Sequence, residues 1–296
     1  MLRLLGFGRS TSNTPLPSVL IRNRSMTYGF DSLCARNQRS KLGNDGWTNS
    51  SVPRTSMTRP NIDLRERLAP GIHDQGPRPT CVPFAVSLAH ESNRYQARDP
   101  AAALAPEAIW EHAWNRGLAG HNGMDLAHAN DALRERGQPE DQNWPYDATL
   151  GSDTEPPPLS AGVPPWHVAE LSTIPLALDG VEDAVEDSIA AGRVVVLVLG
   201  VTAAFDYPDA DGLILPSPGP GHRGLHAVAA VGAAEVAGSG RCLLIQNSWG
   251  EGWGLGGYGW LHPSYIQGLG ISAHEVLRLP MRTPVRTDVT TVTRAR

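Results

Sequence analysis

The chain has 296 residues, 41% of them hydrophobic, with 31 glycines and 25 prolines: enough to bury a full core, with generous loops left over. Its net charge of −5 is unevenly spread, because residues 1–57 hold eight basic and two acidic side chains and residues 58–296 therefore carry −11. An acidic body argues against nucleic acid as the main partner, and no apolar run approaches the 18 residues of a membrane span.

Residues 1–57 are rich in Ser, Asn, Arg, Thr and Gly and show no sustained period of 2 or 3.6. They are read as a disordered or loosely attached basic leader. The Arg- and Ser-rich composition is also that of an organelle transit peptide, though no amphipathic helix accompanies it. The apolar start at Met1 is cut short by Arg9 and Ser10, so a secretory signal is not expected. The compartment is otherwise open, with the cytoplasm slightly favoured over secretion. Cys34, Cys81 and Cys242 are odd in number and match neither a zinc ribbon nor a disulfide framework.

Organised sequence begins near Pro60. A Gly/Pro-rich loop over residues 70–80 leads into Cys81-Val82-Pro83-Phe84-Ala85. Phe84, Leu88 and Glu91 share one helical face, so a helix starts at the cysteine, with Thr80 as its cap and Pro83 in its first turn. Cys81 then stands at the positive end of a helix, where a thiolate is favoured. Further helices are expected over 106–116, with Pro106 at the start and Gly117 after the end, and over 125–136, stopping at Gly137. Between them Gly120-His121-Asn122-Gly123 forms a turn. Trp144-Pro145-Tyr146 follows, and residues 151–165 form a Pro/Ser/Gly-rich connector between two lobes.

Past the connector the pattern changes. A short amphipathic helix is expected over 181–191, then buried strands over 193–199, 224–232 and 243–246, and a last strand over 274–279. Residues 283–296 form a polar tail. His226 opens the third of these segments, and Asn247-Ser248-Trp249-Gly250 closes the fourth. Neighbouring strands can thus bring an imidazole and an amide together. An imidazole oriented by an amide, facing a thiol at a helix start, is the set needed for nucleophilic catalysis. The Cys81 backbone N–H and the Gln75 side-chain amide are the candidate donors for a tetrahedral oxyanion.

These segments resemble the papain-like (C1) cysteine peptidases. Gln75-Gly76 with Cys81 and Phe84-Ala85 resembles the nucleophile segment, Leu225-His226-Ala227-Val228 the histidine strand, and Asn247-Ser248-Trp249-Gly250 with Trp253-Gly254 the asparagine segment, in the family's order. The resemblance covers about residues 58–282. It implies an α+β, papain-like two-lobe fold, with a helical lobe (about 58–160) carrying the nucleophile and a β-barrel-like lobe (about 161–282) carrying His and Asn. It also implies peptide hydrolysis through a thioester. In this reading Cys81 is the nucleophile, His226 the general acid/base, Asn247 its orienter, and Gln75 part of the oxyanion hole. Asn122 and Gly123 would pair with an extended peptide, Ala227 would line the pocket two residues before the cut, and Trp249 would cover the His–Asn bond. A peptide substrate, no cofactor, no membrane contact and a monomer are the matching expectations. The chain departs from the family at Arg78, where a disulfide cysteine is usual, and at Pro79-Thr80 and Val82.

Two other functions use the same scaffold: a silent peptide-binding protein, and an acyl transferase with an amine in place of water. A metal site is not expected, since His222 and His226 lie four apart on a Gly-rich loop and strand with no second ligand pair. Gly219-Pro220-Gly221 precedes no helix, so it is not read as a phosphate loop. Cys242, inside a strand, reads as a small buried hydrophobe.

Overall fold

A computed structural model describes residues 59–96, 102–175, 181–216 and 221–279. The leader through residue 58, including Cys34, and the tail from residue 280 lie outside the described residues.

A two-residue strand, β1 (Ile62–Asp63), precedes the Gly/Pro-rich loop. Helix α1 (Cys81–Gln96) starts at the cysteine, as its periodicity predicts, and runs about a turn further than the apolar pattern. It is buried all round from Val82 to Arg94, as the central helix of a core must be. Its polar residues therefore need internal partners. Ser87 Oγ donates to the Pro83 carbonyl (2.8 Å), His90 Nδ1 meets Gln138 Oε1 (3.0 Å), Glu91 accepts from the Leu104 N–H (2.9 Å), and Asn93 donates to the Val276 carbonyl (2.8 Å).

Helix α2 (Pro106–Trp114) has its proline in the first turn, where no N–H is needed. A short hairpin, β2 (Ala119–Gly120) with β3 (Gly123–Met124), follows. Helix α3 (Leu126–Glu135) is capped by Asp125, which accepts from the Ala127 N–H at 2.7 Å.

The second half supplies most of the sheet. Its elements are β4 (Ala169–Ile174), α4 (Val181–Ala190), β5 (Val195–Gly200), α5 (Ala203–Asp206), β6 (Leu213–Ile214), β7 (Leu225–Val236), β8 (Gly240–Gln246), β9 (Tyr258–Leu261), α6 (Pro263–Leu269) and β10 (Gly270–Arg278). The strand order is β4-β10-β5-β7-β8-β9-β6, and β1 also pairs with β7 although it precedes the helices. Helix α1 packs across β7, β10 and β5. Strand β7 is long and made of small residues, which lets α1 approach closely. Gly232 is required there for a specific reason: a Cβ at that position would lie 2.5 Å from the Ile62 carbonyl oxygen of β1.

Strands β4 and β9 and helix α6 were not anticipated. The Ala169–Ile174 stretch has weak alternation, and β9 is hidden in a Gly/Trp-rich run; both are strands because β10 and β8 pair with them.

Candidate active site

Two segments meet at one end of the sheet. The loop before α1 pairs with the chain after β8: Asp74 bridges Trp249, the Gln75 N–H donates to the Ser248 carbonyl (2.8 Å), and the Gly250 N–H donates to the His73 carbonyl (3.0 Å). This seam brings the Gln75 loop and the Asn247 segment together. Strand register does the rest, since β7 and β8 are antiparallel neighbours with Ala229 opposite Gln246. His226 and Asn247 then fall on the same face of adjacent strands.

His226 Nε2 lies 2.7 Å from Asn247 Oδ1. The Ser248 N–H also donates to Oδ1, at 2.8 Å, which identifies that atom as an oxygen. The imidazole must therefore donate through Nε2–H, and Nδ1 carries the lone pair. Both side chains are buried, His226 at 6% exposure and Asn247 at 0%. Burial pushes the His226 imidazole down to about 4, against the raising effect of its bond to Asn247.

Aromatic rings enclose the pair. Trp249 lies over the imidazole with ring centroids 4.6 Å apart, tilted by 37°. Phe205 meets His226 edge-on at 5.7 Å, Trp249 edge-on at 5.6 Å, and Trp253 at 5.3 Å. Phe205 is fully buried, and the Trp253 indole donates to its carbonyl at 3.0 Å. The sequence offered no sign of this role for Phe205, a lone aromatic in a four-residue helix. Only the fold seats α5 beside β7.

Cys81 is half-buried at the start of α1. The backbone N–H of Ala227, the residue that follows His226, is among the groups that act on its thiol, so thiol and imidazole share one corner. Burial pushes the thiol up; the N–H groups of Ala227, Val82 and Cys81 itself pull the other way. The N–H groups at the helix start favour the thiolate, but desolvation outweighs them in the free protein, against the expectation from its position. Cys242 is buried in β8, its thiol raised to about 11 mainly by burial.

Gln75 is buried with its amide held at both ends. Ser248 Oγ donates to its Oε1 at 2.6 Å, and its Nε2 donates to the Arg78 carbonyl at 2.7 Å. The second N–H of that amide has no part in either bond. The Tyr146 hydroxyl donates to the Gln75 carbonyl at 2.9 Å and lies 2.7 Å from Thr80 Oγ1. The Thr80 hydroxyl thus reaches across to residue 146, a contact that its reading as a helix cap did not foresee.

Asn122 is exposed at the tip of the β2–β3 hairpin, and Gly123 follows it with φ +85°. A Cβ at Gly123 would come within 3.3 Å of the Pro79 carbonyl, two residues before Cys81, so the hairpin abuts the loop that leads into Cys81. Ala227 is buried beside the thiol.

The profile of the family described as papain family cysteine protease matches residues 59–278. The chain belongs to that family and is a cysteine peptidase, with peptides as its substrates. Solved structures agree on the fold. Xylellain, a cysteine protease from Xylella fastidiosa, shares 21% identity at a TM-score of 0.59, over 75% of this chain and 87% of that one. The bromelain protease from Ananas comosus shares 19% at 0.58, over 74% and 99%. A cysteine protease of Carica candamarcensis shares 23% at 0.58, again over 74% and 99%. No curated protein sequence matches the chain. Among the described residues no helix is long and apolar enough to cross a membrane.

Proposed function

We propose that the enzyme cleaves peptide bonds through a thioester on Cys81. The observation that carries this reading is the shared acceptor Asn247 Oδ1, which takes N–H bonds from both His226 and Ser248 and so leaves His226 Nδ1 as the base. The Cys81 proton passes to Nδ1, and the sulfur attacks the substrate carbonyl carbon to form a C–S bond. Each charge alone is costly in this buried corner. Formed together, the thiolate and the imidazolium stabilise each other at short range.

The carbonyl oxygen takes up the negative charge. The Cys81 N–H, one of the four at a helix start without an intrahelical partner, and the remaining Gln75 N–H are the donors that receive it in this reading. The imidazolium then protonates the leaving amine as the C–N bond breaks. A water molecule, losing its proton to Nδ1, attacks the thioester; the acid departs and the thiol is restored. The position of Gly123 against the nucleophile loop supports pairing of Asn122-Gly123 with an extended peptide. The small side chain of Ala227 beside the thiol supports its place in the neighbouring pocket. The ring of Trp249 keeps water from the His–Asn bond.

Cys81→Ala should abolish turnover of fluorogenic peptides. A thiol-directed epoxide should label Cys81 well before Cys242 in the folded protein, and His226→Ala should slow that labelling at neutral pH by more than tenfold. Equal labelling of the two thiols, or turnover that survives Cys81→Ala, sinks the mechanism. Retained peptide binding with no turnover in the wild type would favour a silent scaffold, and amide products from added amines would favour acyl transfer.

A further inference from the structure

The position three residues before the nucleophile carries Arg78, whose side chain is completely buried. A buried guanidinium needs partners for all five N–H groups, and here every one has a partner. Nε donates to the Gly151 carbonyl at 2.9 Å. Nη1 donates to Glu107 Oε2 at 2.6 Å and to the Asp147 carbonyl at 2.9 Å. Nη2 donates to Glu107 Oε1 at 3.1 Å and to the Asp153 carbonyl at 2.7 Å. Glu107 lies fully buried on α2, and Thr154 Oγ1 donates to its Oε1 at 2.7 Å. The guanidinium also lies over the Tyr146 ring, 4.7 Å from its centroid. One side chain thus ties the nucleophile loop to α2 and to both ends of the 147–153 segment.

The same residue touches the site through its backbone. Its carbonyl accepts the Gln75 Nε2–H at 2.7 Å, and its N–H lies 3.4 Å from the Gln75 carbonyl oxygen. Any residue at position 78 would have that carbonyl. Only a side chain anchored on several sides holds it at a set place, and the Gln75 amide follows it.

We propose that Arg78 is a positioning residue for the oxyanion: its five-bonded fork fixes the carbonyl that aims the Gln75 amide. This inference rests on the reading of Gln75 as an oxyanion donor. Lysine has no planar fork and can satisfy at most three of the five acceptor bonds, so it is not a conservative replacement.

The test compares Arg78→Lys, Arg78→Gln, Glu107→Gln and Gln75→Ala in the full chain, with folding checked by thermal melting and active enzyme counted by epoxide titration. Three quantities are read: kcat and KM on a fluorogenic peptide, inhibition by a peptide aldehyde, and alkylation of Cys81 by iodoacetamide. The aldehyde forms a tetrahedral adduct bearing an oxygen at the oxyanion position, whereas alkylation at a saturated carbon develops no oxyanion. Losing one oxyanion donor typically costs about 10²–10³ in kcat, so a donor misaimed but present should cost about 10- to 100-fold. The Arg78 variants should show that loss in kcat, a matching rise in the aldehyde inhibition constant, and KM and alkylation within about threefold of wild type. Glu107→Gln should follow the same pattern, more weakly. Folded Arg78 variants with kcat within threefold overturn the proposal, as do kcat and alkylation falling by the same factor. Failure of both Arg78 variants and Glu107→Gln to fold also overturns it, in favour of a purely structural pin. If Gln75→Ala leaves kcat unchanged, the oxyanion reading itself fails. If Gln75→Ala lowers kcat and the Arg78 variants do not, only the inference fails.

Discussion

The Cys81 side and the His226 side of the candidate active site are held by opposite chemistry. Around Cys81 the supports are polar and directional: the Arg78 fork, the Gln75 amide bonded at both ends, and the Tyr146 hydroxyl on the Gln75 carbonyl. Around His226 they are aromatic: Phe205, Trp249 and Trp253, with Asn247 as the main polar contact. The difference suits the proposed tasks. An oxyanion donor must be aimed, and hydrogen bonds fix direction. An imidazole must keep one bond away from water, and ring packing excludes water without competing for its nitrogens.

Removing the centre of the aromatic side should give the largest loss of stability. Phe205 touches His226, Trp249, Trp253 and Tyr265 and is fully buried. Phe205→Ala should cost about 3–5 kcal/mol in chemical denaturation. Activity should fall in the variant that remains folded, because Trp249 loses its backing. A cost below about 1 kcal/mol would show that the rings are not a cooperative cage.

A buried carboxyl further along α1, the helix that Cys81 begins, carries a burial penalty of its own. Burial pushes the Glu91 carboxyl from 4.5 up to about 8, chiefly by desolvation, while the Leu104 N–H bond opposes the shift. Because the folded value is raised, the folded state keeps a proton that the unfolded chain loses. The penalty is absent below pH 4.5, grows as pH rises from there, and levels off above about 8. The interval from 4.5 to pH 7 corresponds to about 3 kcal/mol at most. Glu91→Gln, which keeps an oxygen for the Leu104 N–H, should therefore stabilise the protein by about 1–3 kcal/mol at pH 7, and the gain should disappear near pH 4. Denaturant midpoints across pH would show this. A gain that does not change with pH contradicts the account.

The smallest effect is expected from one hydroxyl on the polar side. Tyr146→Phe keeps the ring under Arg78 and its edge contact with Phe84, whose centroid lies 4.7 Å away. It loses the bonds to the Gln75 carbonyl and to Thr80. A loss of about 1 kcal/mol and a severalfold drop in kcat should follow, with KM little changed. An unchanged kcat would mean that the Gln75 backbone is held well enough by its neighbours.

The sequence made much of this legible where chemistry is local. Cys81 at a helix start shows in the apolar period of Phe84 and Leu88 and in the Gly/Pro loop before it. Helix α2 shows in Pro106, and α3 in Asp125 and Gly137. The His226 strand shows in its apolar run, though β7 extends four residues beyond it because β8 continues to pair. The supports were far less legible. Arg78 stood out only as a departure from the family pattern, since its partners lie 29 to 75 residues away. Phe205 and Tyr146 carried no local mark of their contacts for the same reason.

Residue order by itself determined the chemical set: a thiol at a helix start, an imidazole and an amide on neighbouring strands, and a glutamine before the thiol. These follow from periodicity, capping and motif spacing, which act over a few residues. Tertiary structure alone decided which imidazole nitrogen is free, which N–H of Gln75 remains, and whether the thiol is favoured as an anion. Those depend on desolvation and on partners brought together by the sheet register and the seam between residues 73–75 and 248–250. Burial and long-range hydrogen bonding are properties of the folded assembly, so no window of sequence contains them.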